Sequence, residues 1–306
     1  MMNKVTVVGS INVDSILHIK QLPQPGETIG MQSFSKAAGG KGANQAVSSA
    51  RSDAETYFVG CVGDDSNGEF MLKQLNDNKI NTDNVRVVTG SNTGQAYILL
   101  QESGQNSIIV QAGANFELTQ ADIQNAMETI QTSDFVITEF ETPMDTGITA
   151  FQFAHQAGKK TILNPAPAND EIPADLLSLT DLIVPNETES ELITGIKITN
   201  EQSMEDSARY YERFGIKNVI ITIGEHGSYV SLNGTGKIVP AFKVDAVDTT
   251  AAGDTFIGAL ASVLEMDFAN LFEAVTYASR ASSLTVQKLG AFPSIPMKQA
   301  VLDAQK

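Results

Sequence analysis

The chain has 306 residues, of which 42% are hydrophobic and 18% are charged, a composition typical of a globular protein with one large core. Its 36 acidic residues outnumber its 20 basic residues and give a formal net charge of −16. Nucleic-acid binding depends on clustered Lys and Arg, so this balance argues against it. A polyanionic ligand would need backbone N–H groups, a helix N-terminus or a metal ion to hold it locally.

One cysteine and the absence of long apolar segments bear on location. Cys61 is the single cysteine, which allows no disulfide within the chain and fits a reducing compartment. The sequence enters a strand-like run, Val5–Val8, almost at once, without the pattern of a signal peptide. No stretch approaches the ~20 apolar residues of a membrane span. We therefore expect a cytoplasmic protein without membrane contact.

Short apolar runs alternate with helical patterns along the chain, which predicts repeated βα units. We expect one α/β domain over residues 1–306, with a doubly wound, mostly parallel sheet covered by helices. The predicted strands are Val5–Val8, Glu55–Val59, Phe135–Phe140, Thr161–Leu163, Leu182–Val184, Val219–Thr222 and Gly227–Leu232, with a strand-like run at Ala241–Val244. The predicted helices include Asn44–Arg51, Gly68–Asn78, Thr119–Gln131, Thr146–Ala157, Met204–Phe214 and Asp254–Leu264.

Two segments, about 16–34 and 94–111, break this rhythm with short alternating strands separated by turn residues. They predict a small β-sheet built from two insertions, which would suit a lid over an active site. A dimerisation surface is the alternative, and one sheet can fill both roles. A homodimer through the lid would cover the exposed apolar face that we expect from Tyr97, Leu99, Ile108 and Val110.

Polar side chains follow the first predicted strand. Asn12 and Asp14 stand two residues apart, at the carboxyl end of a strand, where ligands bind in open α/β sheets. Two such side chains can hydrogen-bond two sugar hydroxyls. An Asx turn is the alternative interpretation.

A glycine-rich segment, Ala38–Ala46, precedes the first predicted helix. Its glycines permit close approach of a ligand to the backbone, and Asn44 can both donate and accept hydrogen bonds. The segment lacks the Gly-Lys-Ser/Thr of a P-loop, and Gln45 stands where a dinucleotide fingerprint needs its third glycine. A dehydrogenase is therefore disfavoured, and a plain strand-to-helix turn remains the alternative.

Two further segments fit contacts to a nucleotide. Asn186 and Glu189 lie three apart at a predicted helix start and could hold metal-bound water beside phosphates, although a capping box explains the same pattern. The loop Thr222–Gly227 offers glycines and a hydroxyl between two strands. A hairpin turn accounts for it equally well.

The most informative segment is Asp248–Phe256, which precedes an apolar helical pattern. Its small residues, Ala251 to Gly253, let the backbone turn tightly, and the first helical turn presents unpaired N–H groups that can bind phosphoryl oxygens. A carboxylate in such an anion hole suits a general base that takes a proton from an attacking hydroxyl. We assign that role to Asp254, with a helix cap as the alternative.

These five segments, in this order, resemble the PfkB-type carbohydrate kinase family over essentially the whole chain. Gly39–Ala46 is similar to the first signature of that family, and Asp248–Leu260 to its second. The resemblance implies transfer of the γ-phosphoryl group of ATP to a pentose, D-ribose at O5, with Mg²⁺ and a monovalent cation, K⁺, as cofactors. The partners it implies are a sugar and ATP.

The resemblance also implies roles for residues. Asp254 is the implied base, with the anion hole at Ala251, Ala252 and Gly253. The implied sugar contacts are Asn12, Asp14, Gly40, Lys41, Gly42, Asn44, Glu141 and Asp254. The implied nucleotide contacts are Asn186, Glu189, Thr222, Gly224, Gly227, Gly253 and Ser279, of which Asn186 and Glu189 are linked to Mg²⁺. The implied K⁺ site, mostly backbone carbonyls, comprises Asp248, Thr250, Thr285, Lys288, Gly290 and Ser294.

Other functions remain open at this point. The acceptor could be a related sugar such as deoxyribose or fructose, or a nucleoside. The chain could also be a catalytically silent regulator that binds sugar or nucleotide, but such a protein has no need of a base inside a phosphate site. His18, His155 and His226 are too scattered to define a site.

Overall fold

The computed structural model describes residues 2–304. The strands are β1 (Lys4–Val8), β2 (Asn12–Ile19), β3 (Ser33–Gly39), β4 (Glu55–Gly63), β5 (Asn81–Val88), β6 (Gly94–Gln101), β7 (Asn106–Gln111), β8 (Phe135–Thr138), β9 (Lys160–Leu163), β10 (Leu182–Ile183), β11 (Asn218–Thr222), β12 (Ser228–Leu232) and β13 (Thr235–Val239). The α-helices are α1 (Lys41–Arg51), α2 (Ser66–Asp77), α3 (Gln120–Asn125), α4 (Met127–Thr132), α5 (Met144–Gln156), α6 (Ala174–Ser178), α7 (Glu187–Thr194), α8 (Glu201–Glu212), α9 (Ala252–Val263), α10 (Leu271–Thr285) and α11 (Lys298–Ala304).

A nine-stranded sheet forms the centre of the protein, in the order β13-β12-β11-β10-β9-β8-β1-β4-β5. The strands from β11 to β5 run parallel to their neighbours, and β12 and β13 extend one edge as antiparallel strands. The predicted doubly wound, mostly parallel sheet is confirmed.

Each face of this sheet carries its own core, because alternate side chains of a strand point to opposite faces. Val5 and Val7 of β1 join the apolar cluster that includes residues of α1, α9 and α10. Val8 joins the second cluster, which includes residues of α3 to α6 and α8. Both faces of β1 are buried, Thr6 included, as its mostly apolar run predicted.

Several elements differ from the sequence prediction: β5 and α10 were not predicted, and β8 ends before the predicted Phe140. Two further differences have a local explanation. Residues 241–244 form no strand; the edge strand is instead β13, which ends at Val239 and pairs with β12. Pro240 follows directly and has no N–H to continue the ladder, which accounts for this boundary. The predicted helix Thr119–Gln131 is divided into α3 and α4 at Ala126, whose ψ of 3° is not helical.

A small four-stranded sheet, in the order β3-β2-β6-β7, accompanies the large one. Its central pair, β2 and β6, is parallel, whereas the outer pairs are antiparallel. Its first segment runs from Asn12 to Gly39, wider than the predicted 16–34, and its second matches 94–111.

The sequence prediction placed Tyr97, Leu99, Ile108 and Val110 on one apolar face of this small sheet, and that grouping is wrong. The register pairs Tyr97 with Ile109, and Ile98 with Ile108, and directly paired residues share a face. Ile108 and Val110 therefore lie on the opposite face from Tyr97. The apolar character is real, since Ile108, Ile109 and Val110 are each more than half exposed, but it extends over both faces of β7.

The strand order also indicates where a ligand should bind. β1 lies between β4 and β8, so the chain leaves β1 toward one side of the sheet and later returns to its other side. Ligands in open α/β sheets bind at such a switch point, beyond the carboxyl ends of the strands. Here those ends lead into Gly9–Asn12 and Glu139–Glu141. Among residues 2–304, no helix has the length and apolarity needed to cross a bilayer.

Candidate active site

Glycines bring the N-terminus of α1 against the segment that follows β1. A Cβ on Gly42 would lie 2.6 Å from the Ser10 nitrogen, and one on Gly40, whose φ is 96°, would lie 2.6 Å from the Asn12 nitrogen. Only glycine fits at either position. In return, the Ala43 N–H donates to the Ser10 carbonyl at 2.9 Å. This packing fixes the start of α1 beside the end of β1.

Three polar side chains converge beyond β1 and β8. Glu141 Oε2 accepts hydrogen bonds from Ser10 Oγ at 2.8 Å and from Asn12 Nδ2 at 3.2 Å. The Asn12 amide is oriented by Asn115, whose Nδ2 donates to Asn12 Oδ1 at 2.7 Å. Asn115 is buried and also accepts from the Ile11 N–H. The sequence analysis did not select Asn115, because it lies between the predicted lid segment and the helix predicted from Thr119, outside every motif.

Asp14 and Lys41 give this region its electrostatic character. Burial, followed by repulsion from Glu141 and Asp254, raises the pKa of Asp14 to about 7. Burial lowers the pKa of Lys41, but the surrounding carboxylates outweigh it and the net pKa is raised. The carboxylates that act on Lys41 are Asp254, Glu141, Glu139 and Glu189. Lys41 is therefore the central positive charge of an acidic pocket.

Asp254 is held by α1, although it belongs to α9. Asn44 Nδ2 donates to Asp254 Oδ2 at 2.9 Å, and Gln45 Nε2 donates to Asp254 Oδ1 at 3.1 Å. Asp254 is not the cap of its helix, because that position is Ala251. Burial raises the pKa of Asp254, while Lys41, Asn44 and Gln45 oppose the rise. Gln45 is a site residue that sequence reasoning used only to exclude a dinucleotide fold.

Two buried acceptors near Asp254 have no hydrogen-bond partner among the described residues. They are Asn44 Oδ1 and Gln45 Oε1, on side chains that are at most 5% exposed. An unpaired buried acceptor costs free energy, so these atoms favour a ligand with hydroxyl groups.

The start of α9 has the properties of an anion site. Ala251 adopts a left-handed conformation, with φ of 59°, and makes no side-chain cap. The first N–H groups of a helix lack partners within it, which leaves the N–H groups of Gly253 and Asp254 available. Gly253 is exposed, and a Cβ on it would meet nothing within 4 Å. Space for an anion therefore lies beside Asp254.

Asn186 and Glu189 form a capping box at the start of α7. The Asn186 N–H donates to Glu189 Oε2, and the Glu189 N–H donates to Asn186 Oδ1, each at 2.8 Å. The cap therefore accounts for the pattern locally. Burial raises the pKa of Glu189, and Lys41 opposes this rise, which puts the Glu189 carboxylate within electrostatic reach of the pocket around Lys41.

The predicted nucleotide segments meet beside this capping box. Thr222, the last residue of β11, pairs with Asn186 as an isolated parallel bridge. The loop to β12 follows it directly. Gly227 has φ of 107°, and a Cβ there would collide with the Val239 oxygen, so glycine is needed. Gly224 is exposed with φ of 54°. Ser279 lies half-buried on α10, apart from these contacts.

Three residues of the predicted K⁺ site, Asp248, Thr250 and Gly290, are connected by hydrogen bonds. Asp248 Oδ1 accepts from Thr250 N–H at 2.9 Å, and Asp248 Oδ2 accepts from Gly290 N–H at 2.8 Å. Burial raises the pKa of Asp248, but the hydrogen bonds from Thr250 and Gly290 outweigh it and the net pKa is lowered.

The remaining members of that set have other local contacts. The Thr285 hydroxyl bonds Thr255 Oγ1 at 3.1 Å, and the Thr285 carbonyl accepts from Lys288 N–H at 3.1 Å. Ser294 Oγ donates to the Ala291 carbonyl at 2.7 Å. Within residues 2–304, no group of three or more His, Cys, Asp or Glu side chains is arranged to hold a metal ion.

The protein combines a mostly parallel sheet, a small accessory sheet and an aspartate beside free helix N–H groups. The chain matches the pfkB family of carbohydrate kinases over residues 2–298 and belongs to that family. The resemblance inferred from the two signatures is confirmed.

Within this family the chain is similar to ribokinases. A ribokinase of Staphylococcus aureus strain COL is 47% identical over 302 residues, which cover 98% of this chain and 99% of the relative. The structure of Arabidopsis thaliana ribokinase complexed with ribose and ATP matches with a TM-score of 0.91 and 33% identity, covering 100% of this chain and 99% of that one. A deoxyribokinase of Salmonella typhi is 36% identical over 257 residues, 84% of each chain.

Proposed function

We propose that this chain transfers the γ-phosphoryl group of ATP to O5 of D-ribose, giving D-ribose 5-phosphate and ADP. The observation that carries the proposal is the Asp254 carboxylate, held by Asn44 and Gln45 beside the free N–H groups of α9. The similarity to ribokinases, one of them solved with ribose and ATP, supports this substrate pair.

The sugar site lies between the ends of β1 and β8 and the start of α1. Asn12, Asp14 and Glu141 present amide and carboxylate groups to sugar hydroxyls, and the unpartnered Asn44 Oδ1 accepts one more. The backbone of residues 40–42, which packs against Ser10 and Asn12, would border the sugar. The positive charge of Lys41 offsets part of the negative charge of the surrounding carboxylates. A neutral sugar can therefore bind among them without adding charge to the pocket.

The chemical step follows from the position of Asp254. Asp254 removes the O5 proton as O5 attacks the γ-phosphorus, the bond from that phosphorus to the bridging oxygen of ADP breaks, and the proton remains on Asp254 until product leaves. The N–H groups of Gly253 and Asp254, which follow the turn at Ala251, stabilise charge on the transferred oxygens. Burial of Asp254 strengthens these interactions because water is excluded.

The nucleotide lies along the carboxyl end of β11. Thr222, Gly224 and Gly227 would border the phosphates and ribose of ATP, and Ser279 on α10 is the proposed contact to the base. Mg²⁺ fits beside Asn186 and Glu189, since the Glu189 carboxylate is buried near the pocket and its oxygens are already oriented by the cap. When bound, Mg²⁺ neutralises phosphate charge.

A monovalent cation, K⁺, would be held next to the anion site. The hydrogen bonds that Asp248 accepts hold the segments around Thr250 and Gly290 together, and backbone carbonyl oxygens there, and at Thr285, Lys288 and Ser294, are the ligands that such an ion prefers. We propose that the ion stabilises the turn at Ala251, which directs the N–H groups of α9.

The small sheet serves as a lid formed by insertions into one kinase domain over residues 1–306. Asp14 lies on β2, so the same sheet supplies a sugar contact and covers it. The exposed Ile108, Ile109 and Val110 on β7 favour a homodimer formed through this sheet.

The test is coupled ADP production with Mg·ATP and K⁺ across ribose, 2-deoxyribose, fructose, adenosine and no sugar. We expect fast turnover with ribose, which falls when K⁺ is replaced by a non-activating ion. The deoxyribokinase relative makes 2-deoxyribose the second candidate, and faster turnover with it would reassign the sugar while keeping the mechanism. Ligand-dependent thermal stabilisation without any ADP would contradict the proposal and favour a regulator.

A further inference from the structure

Glu139 is a buried carboxylate that the proposed reaction does not use. It follows β8 directly and is 1% exposed. Its two oxygens accept from two different backbone donors: Oε1 from the Ser10 N–H and Oε2 from the Glu141 N–H, each at 2.5 Å. Ser10 follows β1 and Glu141 follows β8, so Glu139 joins the two strand ends that border the sugar pocket.

The joined segments both act on the sugar ligand Glu141. Ser10, fixed through its N–H, donates its own hydroxyl to Glu141 Oε2 at 2.8 Å. Glu141 is fixed through its N–H by the same Glu139 carboxylate. The surroundings are built to admit this group, because a Cβ on Gly9 would lie 2.7 Å from Glu139 Oε1.

The burial of Glu139 is unfavourable in itself. Burial, and next the repulsion from Glu141, raises the pKa of Glu139, and the two N–H donors oppose this rise because they bond the ionised carboxylate. A neutral side chain would avoid that cost, and local violations of this kind concentrate at functional sites. Two acceptor oxygens are needed here, which a carboxylate has and an amide lacks.

From this geometry we infer that Glu139 is a positioning residue for sugar binding: by accepting from Ser10 and Glu141 together, it orients the Glu141 carboxylate toward the sugar. The inference rests on the proposed function, since it assumes that Glu141 contacts the acceptor. It assigns Glu139 no contact with ATP or with the transferred phosphoryl group. Loss of its bridge should therefore affect the sugar and leave the nucleotide alone.

The test compares Glu139→Gln with Thr138→Val. The glutamine side chain keeps the size of Glu139 but can accept only one of the two N–H groups. Thr138 is the neighbouring buried residue, and its hydroxyl also joins β8 to β1, by donating to the Val8 carbonyl at 2.9 Å, but it has no bond to Glu141. The Thr138→Val variant therefore removes a hydrogen bond between the same strands without touching the bridge.

We expect Glu139→Gln to raise KM for ribose, and Kd for ribose by calorimetry, about tenfold or more, with KM for ATP within about twofold and kcat reduced much less than KM rises. Thr138→Val should leave ribose affinity unchanged. Unaltered ribose affinity in Glu139→Gln, or an equal loss in Thr138→Val, would overturn the inference.

A second variant covers failure of Glu139→Gln to fold. In Gly9→Ala the added Cβ would lie 2.7 Å from Glu139 Oε1 and 3.0 Å from the Gly42 Cα, so this variant should lose ribose affinity. Normal ribose affinity in Gly9→Ala would overturn the inference. If the wild-type protein phosphorylates another sugar, that sugar replaces ribose in each comparison. A wild-type protein inactive on every sugar would instead overturn the proposed function, an outcome distinct from an active wild type with an unaffected Glu139→Gln.

Discussion

Asn44 on α1 and Asp254 on α9 are 210 positions apart in the chain, yet Asn44 Nδ2 donates to Asp254 Oδ2 at 2.9 Å. The bond joins the two family signatures at one carboxylate. It also leaves Asn44 Oδ1, on the same amide, without a partner. One side chain thus positions the proposed base and offers an acceptor to the substrate.

The first prediction concerns this carboxylate. Asp254→Asn should fold and bind sugar but lose at least about 10²-fold in turnover, because general-base catalysis contributes about 10²–10⁴-fold. Coupled ADP production measures the rate, and circular dichroism checks the fold. The exposed Asp77→Asn is the matched control, with no expected effect. A variant that retains more than about a tenth of the wild-type rate would contradict the base role.

The second prediction concerns the support that Gln45 gives to the base. The hydrogen bond from Gln45 lowers the pKa of Asp254, so Gln45→Leu should raise it further. Because the base acts when deprotonated, the acid limb of kcat/KM should move to higher pH, with a loss of about tenfold at neutral pH. A pH–rate profile is the measurement. A limb that stays in place would show that Gln45 does not tune Asp254.

The third prediction links Asp14 to stability. Its folded pKa, about 7, lies above the usual 3.8, so the folded state holds this proton more tightly than the unfolded chain. That contribution is fully present below about pH 4 and is lost as pH rises through about 7. Asp14→Asn, which cannot ionise, should therefore gain stability relative to wild type between pH 4 and pH 8, by about 1 kcal/mol or more.

Urea denaturation of both proteins at pH 4 and pH 8 tests this, because the difference between them cancels the other titrating groups. The same variant should weaken ribose binding more than ATP binding, since Asp14 lies on the sugar side. A difference in the free energy of unfolding that does not change with pH would refute the assignment.

The fourth prediction separates folding from phosphate binding at Gly253. A Cβ there meets nothing within 4 Å, so Gly253→Ala should leave the melting temperature unchanged or slightly higher, since Ala favours helix. The added methyl group should keep the phosphoryl group from the N–H groups of α9 and reduce kcat/KM for ATP at least tenfold, on the order of one lost stabilising donor. Gly30→Ala, also in open space, should keep full activity. Full activity in Gly253→Ala would place the anion elsewhere.

The fifth prediction concerns assembly. Light scattering should give a mass twice the 32.7 kDa of the chain. Ile108→Asp, on the exposed strand β7, should shift the protein toward monomer because a charge buried in the interface is costly. A wild-type monomer at micromolar concentration would remove the proposed homodimer.

The class of fold and the chemical type of the site could be predicted from the residues alone. Runs without charged residues, such as Val5–Val8, favour burial on both faces, which is typical of a sheet covered on both sides. Residues 251–254 carry their chemistry in the local chain, since small residues and a helix start define an anion site wherever they lie. The ends of strands were predicted less accurately where a single residue sets them, as Pro240 does for the end of β13.

The grouping of side chains that act together depends on contacts between distant parts of the chain. Gln45 and Asn115 carry no local signal; they matter because folding brings them to Asp254 and Asn12. The grouping of Tyr97 with Ile108 failed for a related reason: the faces of a strand pair depend on register, and register is set between strands.

Glu139 likewise carries no local signal, since the sequence predicts it within the strand Phe135–Phe140, whereas β8 ends at Thr138. Its bridge from Ser10 to Glu141 exists only because β1 and β8 are neighbours in the sheet. A local pattern can specify which chemical groups a segment offers, but hydrogen bonds between strand ends form only once the strand order is fixed.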